Sequence, residues 1–178
     1  MRVILLHIKR TPKDCWRIIL LEGKIFSAGW VFYKPTAVGA EGRKIDKNVE
    51  SCRQRLDKDN FARHLGINLL EIKPGYARAS MRVTSELLNG AALTHGSAVF
   101  ALADIVFAAA SNSHGSLALA LNVSINFLKA TSEGSLLTAE AREENLTRKT
   151  GLYRLEVREE SGDLVALADG IAYRVGNK

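Results

Sequence analysis

Between Ala98 and Ala110 the chain carries one charged residue, Asp104, flanked by Ala98-Val99-Phe100-Ala101-Leu102-Ala103 on one side and Ile105-Val106-Phe107-Ala108-Ala109-Ala110 on the other. A helix that is apolar all round has no solvent face, so the rest of the chain has to enclose it. A carboxylate leaving such a helix loses its water unless another group replaces it. Carboxylates in that position concentrate at catalytic sites; the structural alternative is an Asp paired with an Arg across the core.

The 178 residues suit one domain, or one domain with an extension, and suffice for a sizeable core. An apolar fraction of 47% with 25% charged residues belongs to a globular chain rather than a disordered one. The net charge of +6 raises the question of a nucleic-acid or membrane partner. Its distribution answers it: residues 1–50 hold ten Lys/Arg against five Asp/Glu, and residues 51–178 hold fifteen against fourteen. The basicity belongs to the N-terminal segment, which has no Arg/Lys patch interleaved with aromatics, so neither nucleic acid nor membrane is expected as a partner. Lys9, Arg10 and Lys13 interrupt the apolar start too early for a secretory signal, and the run around Asp104 is too short to cross a bilayer. Cys15 and Cys52 form no CxxC or CxxH pattern, so reduced thiols and a cytoplasmic location are expected.

Along residues 1–50, read as an N-terminal extension of unassigned role, strand-like runs occur at Val3 to Ile8, Arg17 to Leu21 and Trp30 to Tyr33, with a turn at Glu22-Gly23-Lys24 and a linker after Pro35. Residues 51–178 form the main domain. Asp59 or Asn60 caps a short helix ending at Gly66. Strands at Ile67 to Ile72 and Tyr76 to Val83 flank the turn Lys73-Pro74-Gly75. A polar loop then leads to a long helix beginning near His95 to Ser97, with Thr94 as candidate cap, and ending around Ser111 to Ser113. Beyond Gly115, Leu117, Leu119, Leu121, Val123, Ile125 and Phe127 alternate with smaller or polar residues, which predicts a strand with one core-facing side. Three more strands follow: Leu136 to Asn145, one marked by Tyr153, Leu155 and Val157, and Leu164 to Val175 with Val165, Leu167, Ile171, Tyr173 and Val175 on one face. The class is α+β: an antiparallel sheet of about six strands wrapped around one long central helix.

Asn89, then His95-Gly96 six residues on, then Asp104 eight residues after the glycine, resembles the Asn-x5-His-Gly-Gly-x6-Asp signature of the hotdog-fold acyl-CoA thioesterases of the phenylacetate-degradation type. The likeness runs from about Asp59 through Phe127 and Thr138-Ala139-Glu140 to Val175. Ser97 replaces the second glycine, no proline follows Phe127-Leu128-Lys129, and Ala120 stands where some relatives carry a hydroxyl that helps hold the attacking water. The resemblance implies hydrolysis of an aryl- or acyl-CoA to free acid and coenzyme A, with coenzyme A as part of the substrate and no separate cofactor. It also implies a homo-oligomer, a dimer or a dimer of dimers.

Thioester hydrolysis needs a donor for the oxyanion and a base or nucleophile at the reacting carbon. Gly96, opening a helix, offers a backbone N–H and the positive end of the helix dipole, and its missing side chain admits a carbonyl oxygen. Asp104 offers the base or nucleophile. Eight helical residues separate the two by ~12 Å along the axis and about 80° in rotation, so one chain cannot bring both to one carbon. Gly96 of one subunit must face Asp104 of another across a two-fold axis. Asn89 is expected to hydrogen-bond the carbonyl or brace the loop, and His95 to orient the loop or add a polar contact. Arg148 and Lys149 are candidates for the coenzyme A phosphates, with Lys129 as a further one.

A serine hydrolase is disfavoured because no Gly-x-Ser-x-Gly elbow surrounds Ser97. A metal hydrolase is disfavoured because His7, His64, His95 and His114 include no pair at helical spacing of four, so no metal is expected. A noncatalytic acyl-CoA-binding hotdog protein and a hotdog hydratase or dehydratase acting on acyl thioesters remain as alternatives.

Overall fold

The helix that cannot face water is wrapped as its composition demands. In the computed structural model, residues 7–10, 16–19 and 40–175 are described, and the chain divides into two compact units, Met1–Gly39 and Ala40–Lys178. In the first unit, strands β1 (His7–Arg10) and β2 (Trp16–Ile19) pair antiparallel, His7 opposite Ile19 and Arg10 opposite Trp16. The expected turn at Glu22-Gly23-Lys24 and strand at Trp30 to Tyr33 lie outside the described residues.

The second unit opens with helix α1 (Ala40–Leu56), where a linker ending near residue 50 was expected. Glycine and charge suggested a linker, but Val49, Cys52 and Leu56 recur at helical spacing and pack onto the core, with Cys52 fully buried. The unit boundary therefore falls at 39/40, ahead of the expected one. Helix α2 (Asn60–His64) follows the expected capping: the Asp59 carboxylate accepts from the N–H groups of Phe61 and Ala62 at 2.9 and 3.0 Å, and Gly66 leaves the helix at φ +67°.

The strands β3 (Asn68–Lys73), β4 (Tyr76–Arg82), β5 (Ala118–Phe127), β6 (Leu136–Leu146), β7 (Thr150–Glu159) and β8 (Leu164–Arg174) form one antiparallel sheet in the order β3-β4-β6-β7-β8-β5. It curves around helix α3 (Gly96–Asn112), giving the expected hotdog arrangement. Leu102, Val106 and Phe107 of α3 are fully buried, and each such side chain contributes roughly 1.5–3 kcal/mol. Phe107 meets Tyr153 of β7 edge to face, ring centroids 5.5 Å apart.

Two strands present a different face to the helix than their apolar alternation suggests. On β8 the buried side is Ala166, Ala168, Gly170 and Ala172, whereas Ile171, Tyr173 and Val175 stand outward. Small residues are needed there because a Cβ at Gly170 would lie 2.9 Å from the Phe107 ring. On β5 the register slips at Leu121, so Ala118 faces inward before the slip and Val123 and Ile125 pack on the core after it. Leu119 and Leu121 are left 55% and 63% exposed. The outer edge of β5 pairs with no strand among the described residues.

Candidate active site

The start of α3 is shaped by its preceding loop. A short 3-10 turn (Ser85–Leu87) leads into residues 88–94, which close on themselves: Leu88 bridges Thr94, and the Asn89 carboxamide oxygen accepts from Ala91 N–H at 2.9 Å and Leu93 N–H at 3.2 Å. Ala92 sits at φ +57°, held by its N–H donating to the Asn89 carbonyl at 3.0 Å. Asn89 thus braces the loop, and its carboxamide nitrogen has no hydrogen-bond partner among the described residues. The loop is anchored to the segment after β5 by Thr94 N–H donating to the Thr131 carbonyl at 2.8 Å and by the buried hydroxyl pair Thr94–Thr131 at 2.7 Å.

The cap of α3 is His95 rather than Thr94, whose hydroxyl is spent on Thr131. His95 Nδ1 accepts from Ser97 N–H at 3.1 Å and lies 2.7 Å from the Ser97 hydroxyl. A ring accepting at Nδ1 carries its proton on Nε2 when neutral, so His95 presents a donor outward. Ser97, the departure from a double glycine, fixes that tautomer. Gly96 follows, and its N–H has no hydrogen-bond partner among the described residues. The site of a Cβ on Gly96 lies 3.4 Å from the nearest atom of the half-exposed Phe127 ring. Asn89, Gly96, Val99, Phe127 and Thr131 line a cleft of about 310 Å³. A second cleft, of about 720 Å³, lies across the same first helical turn and is lined by His95, Ser97, Phe61, Arg63, His64 and Arg82 among others.

Asp104 lines neither cleft. It belongs to the stripe Phe100, Asp104, Ala108, the part of α3 that sheet and helices leave half-open, while its neighbours Ala103 and Ile105 are buried. Among the described residues no cation offsets it: burial pushes its carboxyl above the usual carboxylate range, and the nearby Asp59 charge adds to that. The Arg partner that would make it a structural ion pair is absent among the described residues. The fold thus brings Asn89 and Gly96 into one cleft, sets His95 toward the other cleft of the same helical turn, and keeps Asp104 out of both, in line with the helical spacing.

The candidate phosphate ligands are less well placed. Arg148 and Lys149 are exposed in the β6–β7 turn, at the far end of β6 from Leu136, which pairs with Arg82 near the start of α3. Eleven residues of strand, roughly 35 Å, intervene within one subunit. Lys129 is engaged with Glu159 at 2.7 Å and Asp163 at 2.6 Å. Asp59 and Phe127, legible in the sequence as a cap and a strand residue, and Arg63 and Arg82, which no motif marks, gain their relation to the helix start only after folding. Among the described residues no helix is long and apolar enough to cross a membrane.

Residues 92–166 match the thioesterase superfamily. A protein of Archaeoglobus fulgidus, provisionally named an esterase, is 50% identical over 133 residues, covering 74% of this chain and 86% of its own length. The acyl-coenzyme A thioesterase PaaI of Escherichia coli is 38% identical over 130 residues, covering 73% of this chain and 93% of its own. The solved E. coli PaaI structure, from the phenylacetic acid degradation operon, superimposes with a TM-score of 0.71 at 34% identity, over 76% of this chain and 96% of that one. The smu.793 protein of Streptococcus mutans, solved bound to acetyl CoA, superimposes with a TM-score of 0.61 at 26% identity, over 63% of this chain and 90% of its own. With its central helix, its six-stranded sheet and these relatives, the chain belongs to the thioesterase superfamily and is a thioester hydrolase.

Proposed function

We propose that the protein is a cytoplasmic acyl-CoA thioesterase, cleaving an aryl- or acyl-CoA to free acid and coenzyme A at a site shared between two subunits. The observation that carries the reading is Asp104: a half-buried carboxylate with no cationic partner among the described residues, on the uncovered stripe of a helix whose own N-terminal N–H lies out of its reach. Two copies join along the open edge of β5, an arrangement supported by that unpaired ten-residue edge and by the exposed Leu119 and Leu121 on it. The Asp104 stripe of one copy then meets the cleft around Gly96 of the other.

The thioester carbonyl oxygen sits at the Gly96 N–H, where the helix dipole of roughly half a charge favours the developing oxyanion. The Asn89 carboxamide nitrogen and His95 Nε2–H are the further donors within the loop. Asp104 of the partner takes a proton from water, whose oxygen attacks the carbonyl carbon; the C–S bond breaks, and the thiolate leaves and is protonated. Alternatively the carboxylate attacks directly, giving an anhydride that water cleaves. Single turnover in ¹⁸O water separates the routes, since only the anhydride route can place the label in Asp104. Support for coenzyme A as the thiol comes from the E. coli thioesterase and the acetyl CoA complex of the streptococcal protein.

Thiol release from a panel of aryl- and acyl-CoA esters tests the assignment. Turnover of at least one ester, lost in Asp104→Asn, is the expected result. Full turnover in that variant refutes the role of Asp104, and no turnover of any ester refutes the function.

A further inference from the structure

Some arginines of the second unit reach a carboxylate and others do not. Arg78, Arg142, Arg154 and Arg158 each reach a carboxylate on the sheet surface. Arg63 and Arg82 are two of those that pair with none among the described residues, and although 19 positions and strand β3 separate them, both line the larger cleft. Their hydrogen bonds go to neutral acceptors: Arg63 to the Asn60 carboxamide oxygen on its own helix, and Arg82 to the Gly134 carbonyl at 2.9 Å. A guanidinium has five N–H donors, so one such bond leaves most of its capacity unused. His64 lies beside them, and Glu86 is the one carboxylate in the lining.

This cleft is large enough for a small-molecule ligand, at about 720 Å³. It is continuous with the reaction site in one respect: His95 and Ser97 of the first turn of α3 line it, while Gly96 and Val99 of the same turn line the smaller cleft. A molecule whose carbonyl rests at Gly96 therefore has a cation-lined recess on the other side of one helical turn. The wall of that recess includes Phe61, 59% exposed, an aromatic ring open to stacking by a flat base. Guanidinium groups without carboxylate partners beside an open ring suit an anion attached to a nucleobase, since phosphate oxygens accept two parallel bonds from arginine.

We propose that Arg63 and Arg82, with Phe61, form the subsite that holds the 3′-phosphorylated adenosine diphosphate end of coenzyme A. The proposal rests on the thioesterase reading for the identity of the ligand, and it replaces the exposed turn at Arg148 and Lys149 as the phosphate site. These are binding residues that line the cleft opposite the one at Gly96, so their contribution enters KM and leaves kcat.

The test compares each hydrolysed acyl-CoA with the matching acyl-pantetheine, which keeps the thioester and lacks the nucleotide. Arg63→Gln and Arg82→Gln are expected to raise KM for acyl-CoA roughly tenfold or more, the loss of a charge-assisted bond, with kcat within about twofold and acyl-pantetheine kinetics unchanged. Arg63→Gln is decisive for folding concerns, because its partner Asn60 is exposed on the same short helix. Calorimetry with 3′,5′-adenosine diphosphate on the full chain is expected to show binding to the wild type, weakened in both variants, with inorganic phosphate far weaker. Unchanged KM for acyl-CoA, equal losses on acyl-pantetheine, phosphate binding as tightly as the nucleotide, or no nucleotide binding would each overturn the subsite. If no CoA ester is hydrolysed at all, the thioesterase reading fails, and the calorimetric arm still decides the subsite.

Discussion

At the C-terminal end of α3 most polar groups are closed onto one another, the buried Arg174 Nε beside Ala118 excepted; at its N-terminal end several are left open. Ser113 accepts from Gly75 N–H at 2.8 Å and donates to the Ala110 carbonyl at 2.7 Å. Asn112 donates to the Ala118 carbonyl and accepts its N–H, both at 3.0 Å. Glu143 takes both His114 Nε2, at 2.6 Å, and the buried Tyr153 hydroxyl, at 2.9 Å. Among the described residues nothing comparable closes the Gly96 N–H, the Asn89 carboxamide nitrogen or most of the donors of Arg63 and Arg82. A satisfied end gains stability and offers a ligand nothing; an unsatisfied end gives up some stability and keeps its donors for a substrate.

The sharpest way to break this contrast is at Asp104. Asp104→Asn keeps shape and removes the base, and thiol release is expected to fall by two or more orders of magnitude with little change in thermal midpoint. The converse holds at the closed end. Glu143→Leu leaves Tyr153 and His114 without their acceptor and is expected to cost about 2 to 3 kcal/mol by urea unfolding, with turnover per folded molecule preserved. A large loss of turnover without loss of stability there would reverse the roles of the two ends. Gly170→Ala is smaller: its methyl would crowd the Phe107 ring and lower stability by about 1 to 2 kcal/mol, again without a specific loss of turnover.

The smallest effect lies in pH dependence. Asp104 acts only when ionised, and burial first and the Asp59 charge second raise its pKa, so turnover falls with acid at a higher pH than an exposed Asp would give. The sign for stability is opposite to that of a salt-bridged Asp. The native state holds this proton more tightly than the unfolded chain, so stability declines as pH rises from the unfolded to the folded pKa and levels off above it. Asp59→Asn retains a helix cap and removes the charge, and is expected to move the acidic limb of the rate profile to lower pH. An unmoved limb would show that Asp59 has no hold on Asp104.

Much of this was legible in the sequence because it is local. The helix from 96 to 112, the Asp59 cap and the Gly75 turn each lie in one continuous stretch, and so do Asn89, His95, Gly96 and Asp104, whose spacing already fixes that the last cannot meet the third in one chain. What escaped depends on packing. On β8 the larger residues lie outward because the helix needs the space beside Gly170, and the slip at Leu121 turns an apolar alternation over partway along β5. Arg63 and Arg82 are unremarkable in sequence; only the folded chain, with α2 packed on α3, puts them in one cleft. Thr94 looked like a cap until its hydroxyl was committed to Thr131, 37 positions away.

The shared site is tested most directly by subunit mixing. Asp104→Asn and Gly96→Val, each inactive alone, are co-refolded at equal concentration and assayed for thiol release from a substrate the wild type hydrolyses. A site formed across a two-fold interface predicts recovery to about a quarter of wild-type turnover, because half the dimers are mixed and each carries one intact Gly96–Asp104 pairing. No recovery, with mixed dimers present by mass spectrometry, would place both groups in one chain's site and contradict the account.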